Sequence, residues 1–124
     1  MIESAGATPL EGLCDAFLTR LAVEEGLSPR TIEAYSGDLQ HLRAHLAERR
    51  ILAVERVTRH DLSALASYLN DRSMAASSRA RVLVSVRRLM RYAEQLGLIG
   101  ADPIEALHAP KQTRKLPKIL KAEE

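Results

Sequence analysis

Five arginines, Arg79, Arg81, Arg87, Arg88 and Arg91, crowd the stretch SSRARVLVSVRRLMRYAEQLG (residues 77–97) before its first acid, Glu94. A guanidinium is a planar, permanently charged fork that matches phosphate oxygens and the guanine edge. Such a run forgoes the i,i+4 acid–base pairs worth about 0.2–0.5 kcal/mol each on a solvated helix, and repels itself instead. The run is either an ordinary solvated face that happens to be Arg-rich or a surface built to meet phosphates, and the missing acids and the choice of arginine favour the second. The other candidates are weaker. His41 and His45 stand four apart, a spacing that can hold a metal, but no cysteine or third histidine accompanies them and both read as solvated. Serines, histidines and aspartates are present without a nucleophile elbow or a Gly-rich phosphate loop. No catalytic site, metal or cofactor is expected. Cys14 falls on an apolar stripe and reads as a small core residue, not a reactive thiol. Tyr35 and Tyr92 read as core residues with wet hydroxyls.

At 100° per residue the arginine-rich segment sorts into two sides. Val82, Val86, Leu89, Met90, Ala93 and Leu96 share one and must pack. Arg81, Arg88 and Arg91 share the other, with Arg87 at its margin, Ser77 at its N-terminal end and Val84 in its middle. The wheel leaves Ser85 between the two. An apolar Val84 among arginines could touch a thymine methyl in a major groove, and the serines at the start add donors for a phosphate.

Three further helices are expected to carry this one. Leu10, Leu13, Cys14, Phe17, Leu18 and Leu21 trace a helix from Leu10 to about Glu25, ended by Gly26. SPRT opens a second, with Ser28 as N-cap and Pro29 at the first helical position. Ile32, Tyr35, Leu39, Leu42 and Leu46 form its stripe, which runs out near Arg49–Arg50, and Gly37 lies opposite. Thr58 with Asp61 three residues on marks a capping-box start for a third helix, whose buried positions are Leu62, Leu65, Ala66 and Leu69. NDRSMAAS reads as a polar connection, and the fourth helix is expected to begin near Ser77 or Ser78 and stop at Gly97. Pro103 to His108 reads as a short helical turn capped by Asp102, and residues 109–124 as a Pro- and Lys-rich linker.

The whole is bounded by composition. A chain of 124 residues with four aromatics and abundant Leu and Ala is an all-α single domain. The net charge of +2 conceals −3 over residues 1–72 and +5 over residues 73–124, a segregation that presents a basic surface to an anionic partner. One cysteine suits a reducing cytoplasm, and neither a membrane span nor a secretory signal is evident.

The order SPRTIEAYSGDL, VTRHDL, SSRARVLVSVRRLMRYAEQLGLIGADPIEAL, APK and LPKIL resembles the N-terminal part of a Xer-type tyrosine recombinase, over about Leu10 to Leu120. The resemblance implies a SAM-like bundle of four main helices plus a short C-terminal helical turn. Residues 1–9 would be a flexible arm, 10–108 a core-binding domain, and 109–124 a linker to a catalytic domain not contained here. It implies one half of a C-shaped clamp on duplex DNA, with the second and fourth helices towards the major groove. The implied DNA contacts are Ser28, Arg30, Thr31 and Ser36 on the second helix, and Ser77, Ser78, Arg79, Arg81, Ser85 and Arg88 on the fourth. Many relatives carry arginines where this chain has Ser36 and Gly37. The first helix is similar to one that touches a neighbouring protomer in a synaptic tetramer, although this domain alone is expected to be monomeric. The parent would cut DNA through a 3′-phosphotyrosine without metal, and this region itself would only bind. The match leans to a chromosome-dimer resolving recombinase over a phage or mobile-element integrase. Two alternatives stand beside it: a helical adaptor binding a protein through its acidic first three helices, and a small helix-turn-helix regulator, against which the length of the loop before the fourth helix counts.

Overall fold

The computed structural model describes residues 7–107. Five helices follow in order: α1 (Leu10–Val23), α2 (Pro29–Glu48), α3 (Arg59–Asp71), α4 (Ala76–Gln95) and α5 (Asp102–Glu105), with a 3-10 turn at Val54–Arg56 between α2 and α3. No strand forms among the described residues; one antiparallel bridge joins Pro9 to Ala53. The linker expected over 109–124, and His108 before it, lie outside the described residues.

The stripes converge as their spacing requires. Leu13, Phe17 and Leu21 of α1 meet Leu39, Leu42 and Leu46 of α2, Leu62, Leu65 and Leu69 of α3, and Val82, Val86, Leu89 and Met90 of α4 in one core. Each such side chain contributes about 1.5–3 kcal/mol on burial. Ile104 and Leu107 seal the end against α3 and α4. Leu96 departs from expectation. It follows the last turn of α4 and is exposed, because the chain reverses at Gly97 (φ 78°). There the Gly97 N–H reaches the Glu94 carbonyl and the Leu98 N–H that of Ala93, and Leu98 and Ile99 fold back onto the core instead.

The helix starts also differ in detail. Ser28 caps α2 through its hydroxyl, which accepts from the Thr31 N–H at 3.2 Å. Thr58 and Asp61 form the full reciprocal capping box. α4, by contrast, starts at Ala76 after Ala75, with no side-chain cap, so Ser77 and Ser78 lie inside its first turn. Arg79 ties the incoming loop to this first turn by donating to the Met74 carbonyl at 2.6 Å. Only residues 72–75 separate α3 from α4, so the connection is shorter than expected and its length does not count against a helix-turn-helix. Asp102 opens α5 as its first residue and is not its cap. The arm is pinned at its end: Thr8 donates its N–H and hydroxyl to the Glu55 carboxylate at 2.8 and 2.7 Å.

The joint between α2 and α3 corrects the reading of the histidines. His45 is buried, and its Nε2–H donates to the Asp61 carbonyl at 2.9 Å. Its ring lies 4.9 Å from that of Tyr68, over whose other neighbourhood Arg72 is stacked at 3.8 Å. His41 stays half-exposed. Among the described residues no group of three or more His, Cys, Asp or Glu side chains could hold a metal, and no helix is long and apolar enough to cross a membrane.

Candidate nucleic-acid interface

α2 and α4 run side by side in opposite directions, since Asp38 pairs with Arg81 while Tyr35, a turn earlier, pairs with Arg88, two turns later. Asp38 is the centre of the contact. It is 2% exposed, and a carboxylate so placed is costly unless its oxygens are satisfied. α4 supplies the donors: Arg81 through Nε at 3.1 Å and Nη2 at 2.8 Å to Oδ1, and Ser85 through its hydroxyl at 2.7 Å to Oδ2. The hydrogen bond and charge of Asp38 push the Arg81 guanidinium still further above its ordinary value. The rest of Arg81 faces out, with 60% of its side chain exposed.

Arg88 is held differently. Its Nη1 donates to the Tyr35 hydroxyl at 2.9 Å, and its Nη2 to Glu25, in the turn after α1, at 2.9 and 3.1 Å. Tyr35 in turn sits edge-on to Phe17 at 6.2 Å. The Tyr35 bond first, and Glu25 after it, raise the Arg88 guanidinium against the opposing effect of burial. The arginines of α4 are thus not all unneutralised: two are answered by acids 43 and 63 residues away in sequence. Local charge counting cannot see such pairs.

The residues expected at the interface fall into three groups. Ser77, Arg81 and Arg88 lie along one outward row of α4 with Val84 (44% exposed) and Arg91. Arg30 is exposed on the neighbouring α2, and neither it nor Arg91 makes an ion pair among the described residues. Ser28, Thr31, Ser78 and Arg79 stand at helix starts, and Ser28, Thr31 and Arg79 have polar groups engaged within the domain. The Ser28 hydroxyl meets the Thr31 hydroxyl at 3.1 Å as well as capping, and Arg79 is bound to the Met74 carbonyl. Ser85 and Ser36 do not join the outward row. Ser85 is buried with its hydroxyl committed to Asp38. Ser36 is half-buried two residues from Asp38, about 200° round the helix from the side that meets α4. A side chain added at Gly37 would meet nothing within 4 Å, so packing inside the domain does not require glycine there.

Asp38, Glu25 and Tyr35 are the functional partners that sequence reasoning missed. The signal for Asp38 was present: an acid three residues after Tyr35 and four before Leu42 stands at the edge of an apolar stripe, where it needs a buried partner. Glu25 carried none, because it lies in a turn.

An all-helical bundle thus sets two adjacent antiparallel helices and a row of arginines on one side. Residues 14–97 match the family model described as the phage integrase N-terminal SAM-like domain, and the chain belongs to that family. It is 37% identical over 106 residues to the tyrosine recombinase XerC of Roseiflexus castenholzii, covering 86% of this chain and 34% of that protein. It is 37% identical over 108 residues to the tyrosine recombinase XerD of Shewanella oneidensis, covering 87% and 36%. The chain therefore spans about a third of the length of the curated relatives it matches. The crystal structure of the N-terminal domain of a phage integrase/site-specific recombinase from Haloarcula marismortui superposes with a TM-score of 0.76 at 15% identity, covering 84% of this chain and 98% of that one. That likeness shows the SAM-like fold, and the family match places the chain with the N-terminal domains of tyrosine recombinases.

Proposed function

We propose that this domain binds duplex DNA by laying the α2/α4 side along a groove, as the DNA-holding N-terminal domain of a site-specific tyrosine recombinase. The observation that carries the reading is the outward row Ser77, Arg81, Val84, Arg88 and Arg91 beside Arg30. Positive charge on both helices suits two phosphate backbones, and an exposed valine between arginines suits a groove floor better than bulk water. The names of the relatives support the same reading. The other half of the clamp, the phosphotyrosine chemistry and the contacts between protomers of a synaptic tetramer are assigned to the whole recombinase, acting on chromosomal DNA in the cytoplasm. In this reading Ser28, Thr31, Ser78 and Arg79 lie near phosphates, and Ser85 serves through Asp38.

The test is titration of a fluorescein-labelled mixed-sequence duplex by anisotropy. Affinity is modest and falls steeply from about 50 to about 200 mM salt, log K dropping by about 0.9 per decade of salt for each phosphate contact. Replacing Arg30 and Arg91 together with glutamate lowers that slope by at least about two contacts' worth. Binding that ignores salt would overturn the reading.

A further inference from the structure

We infer that Arg81 reads a guanine edge and not a phosphate, and that Asp38 is the positioning residue that aims it; this rests on the duplex-DNA reading above. A guanidinium has five N–H donors in a rigid plane. The Nε–H and the inner Nη2–H of Arg81 are spent on Asp38. The outer Nη2–H and both Nη1 hydrogens remain, and the outer pair forms a parallel fork at the exposed tip of the side chain. That fork matches guanine O6 and N7.

Charge separates a base edge from a phosphate here. With the Asp38 carboxylate 2.8 Å from Nη2, the pair is close to neutral. A phosphate approaching Arg81 would feel the aspartate's repulsion as well as the arginine's attraction, so the pair offers little counterion release. A base edge has no net charge to lose, and needs only correctly directed donors. Direction is what the site supplies. Asp38 is buried and cannot swing into water, Ser85 fixes its second oxygen at 2.7 Å, and Arg81 is thereby held before any ligand arrives. Arg88 lacks this property, since its acid partner Glu25 is more than a third exposed and can rehydrate. Val84, three residues after Arg81 and exposed, provides an apolar neighbour for a methyl or ring edge in the same groove. The arginines thus divide the work: Arg81, paired with Asp38, discriminates, while Arg30 and Arg91, which make no ion pair among the described residues, attract.

The experiment is selection of the full chain against a randomised duplex library, followed by competition binding on the enriched duplex and its single-base variants. The wild-type chain enriches a guanine at one fixed position. Arg81→Lys keeps the charge but loses the fork, and discrimination at that base pair alone falls about 10- to 100-fold. Asp38→Asn, nearly isosteric, loses the same single preference, because the fork is no longer aimed. Arg91→Ala reduces the salt slope by about one contact's worth and leaves the guanine preference in place. Equal weakening at every position in Arg81→Lys, or a guanine preference that survives it, overturns the inference, as does wild-type binding without base preference. A wild-type chain that retains no duplex sinks the DNA reading itself. Circular-dichroism melting checks each variant; should Asp38→Asn fail to fold, Arg81→Lys, which keeps a cation beside Asp38, decides alone.

Discussion

Two buried aspartates in this domain have the same ingredients and opposite uses. Asp38 and Asp61 are each almost fully enclosed, and each is held by one arginine and one hydroxyl. Asp61 also accepts the Thr58 backbone N–H at 2.8 Å, and its arginine, Arg49, is two-thirds covered. Every one of its bonds closes a helix start or the α2–α3 joint. Among the described residues Asp38 takes no backbone donor, and its arginine is more than half exposed on another helix. A buried carboxylate tied to backbone ends an element; one tied to an exposed arginine orients it.

The comparison predicts the largest loss at Asp61. Asp61→Ala removes the reciprocal half of the capping box and strands the Thr58 N–H and Arg49, lowering stability by about 2–4 kcal/mol in urea melts. Acid acts on the same group. Burial works against its ionisation, but the Thr58 and Arg49 hydrogen bonds outweigh it and hold the Asp61 carboxyl below its ordinary value. Its contribution is therefore complete above the ordinary carboxylate range and disappears as pH falls through the lowered folded value. Stability measured from pH 6 downwards should fall less steeply in Asp61→Asn than in the wild type, and equal slopes would remove Asp61 from the account.

A smaller effect is expected at the other acid. Ser85→Ala withdraws one of the three donor groups that hold Asp38 and costs about 1–2 kcal/mol. If it cost as much as Asp61→Ala, the two aspartates would be doing the same structural work. Smallest, and kinetic, is the response of Cys14, whose thiol burial pushes up to about 11. At pH 8 it reacts with iodoacetamide only when the core opens. The rate should rank Asp61→Ala above Ser85→Ala above wild type, and fast alkylation of the folded wild-type chain would contradict its burial.

What the sequence made legible follows the same division. Ser28–Pro29, Thr58–Asp61, Gly26 and Gly97 were readable because caps and left-handed turns are solved within a few residues. The four stripes were readable because a helix repeats its burial at a fixed period. Residues that answer a distant partner were not. His45 reads as polar until the Asp61 carbonyl is brought beside it, and Asp38 and Glu25 vanish among surface acids until α4 is laid across them. Ser85 was ambiguous on the wheel for the same reason. The start of α4 was misplaced by one or two residues because its serines invited a cap, whereas the helix begins after Ala75 without one.

α2 is gripped at two places that both demand the correct angle: Asp38 against α4, and His45 against the start of α3. These points are seven residues, about 10 Å, apart along the axis. Adding or deleting one residue between them would turn one grip by about 100° relative to the other, so both cannot close. The interval from 38 to 45 works as a ruler. Its length is fixed by angle and not by volume, and variation in chain length belongs in the loops around α2.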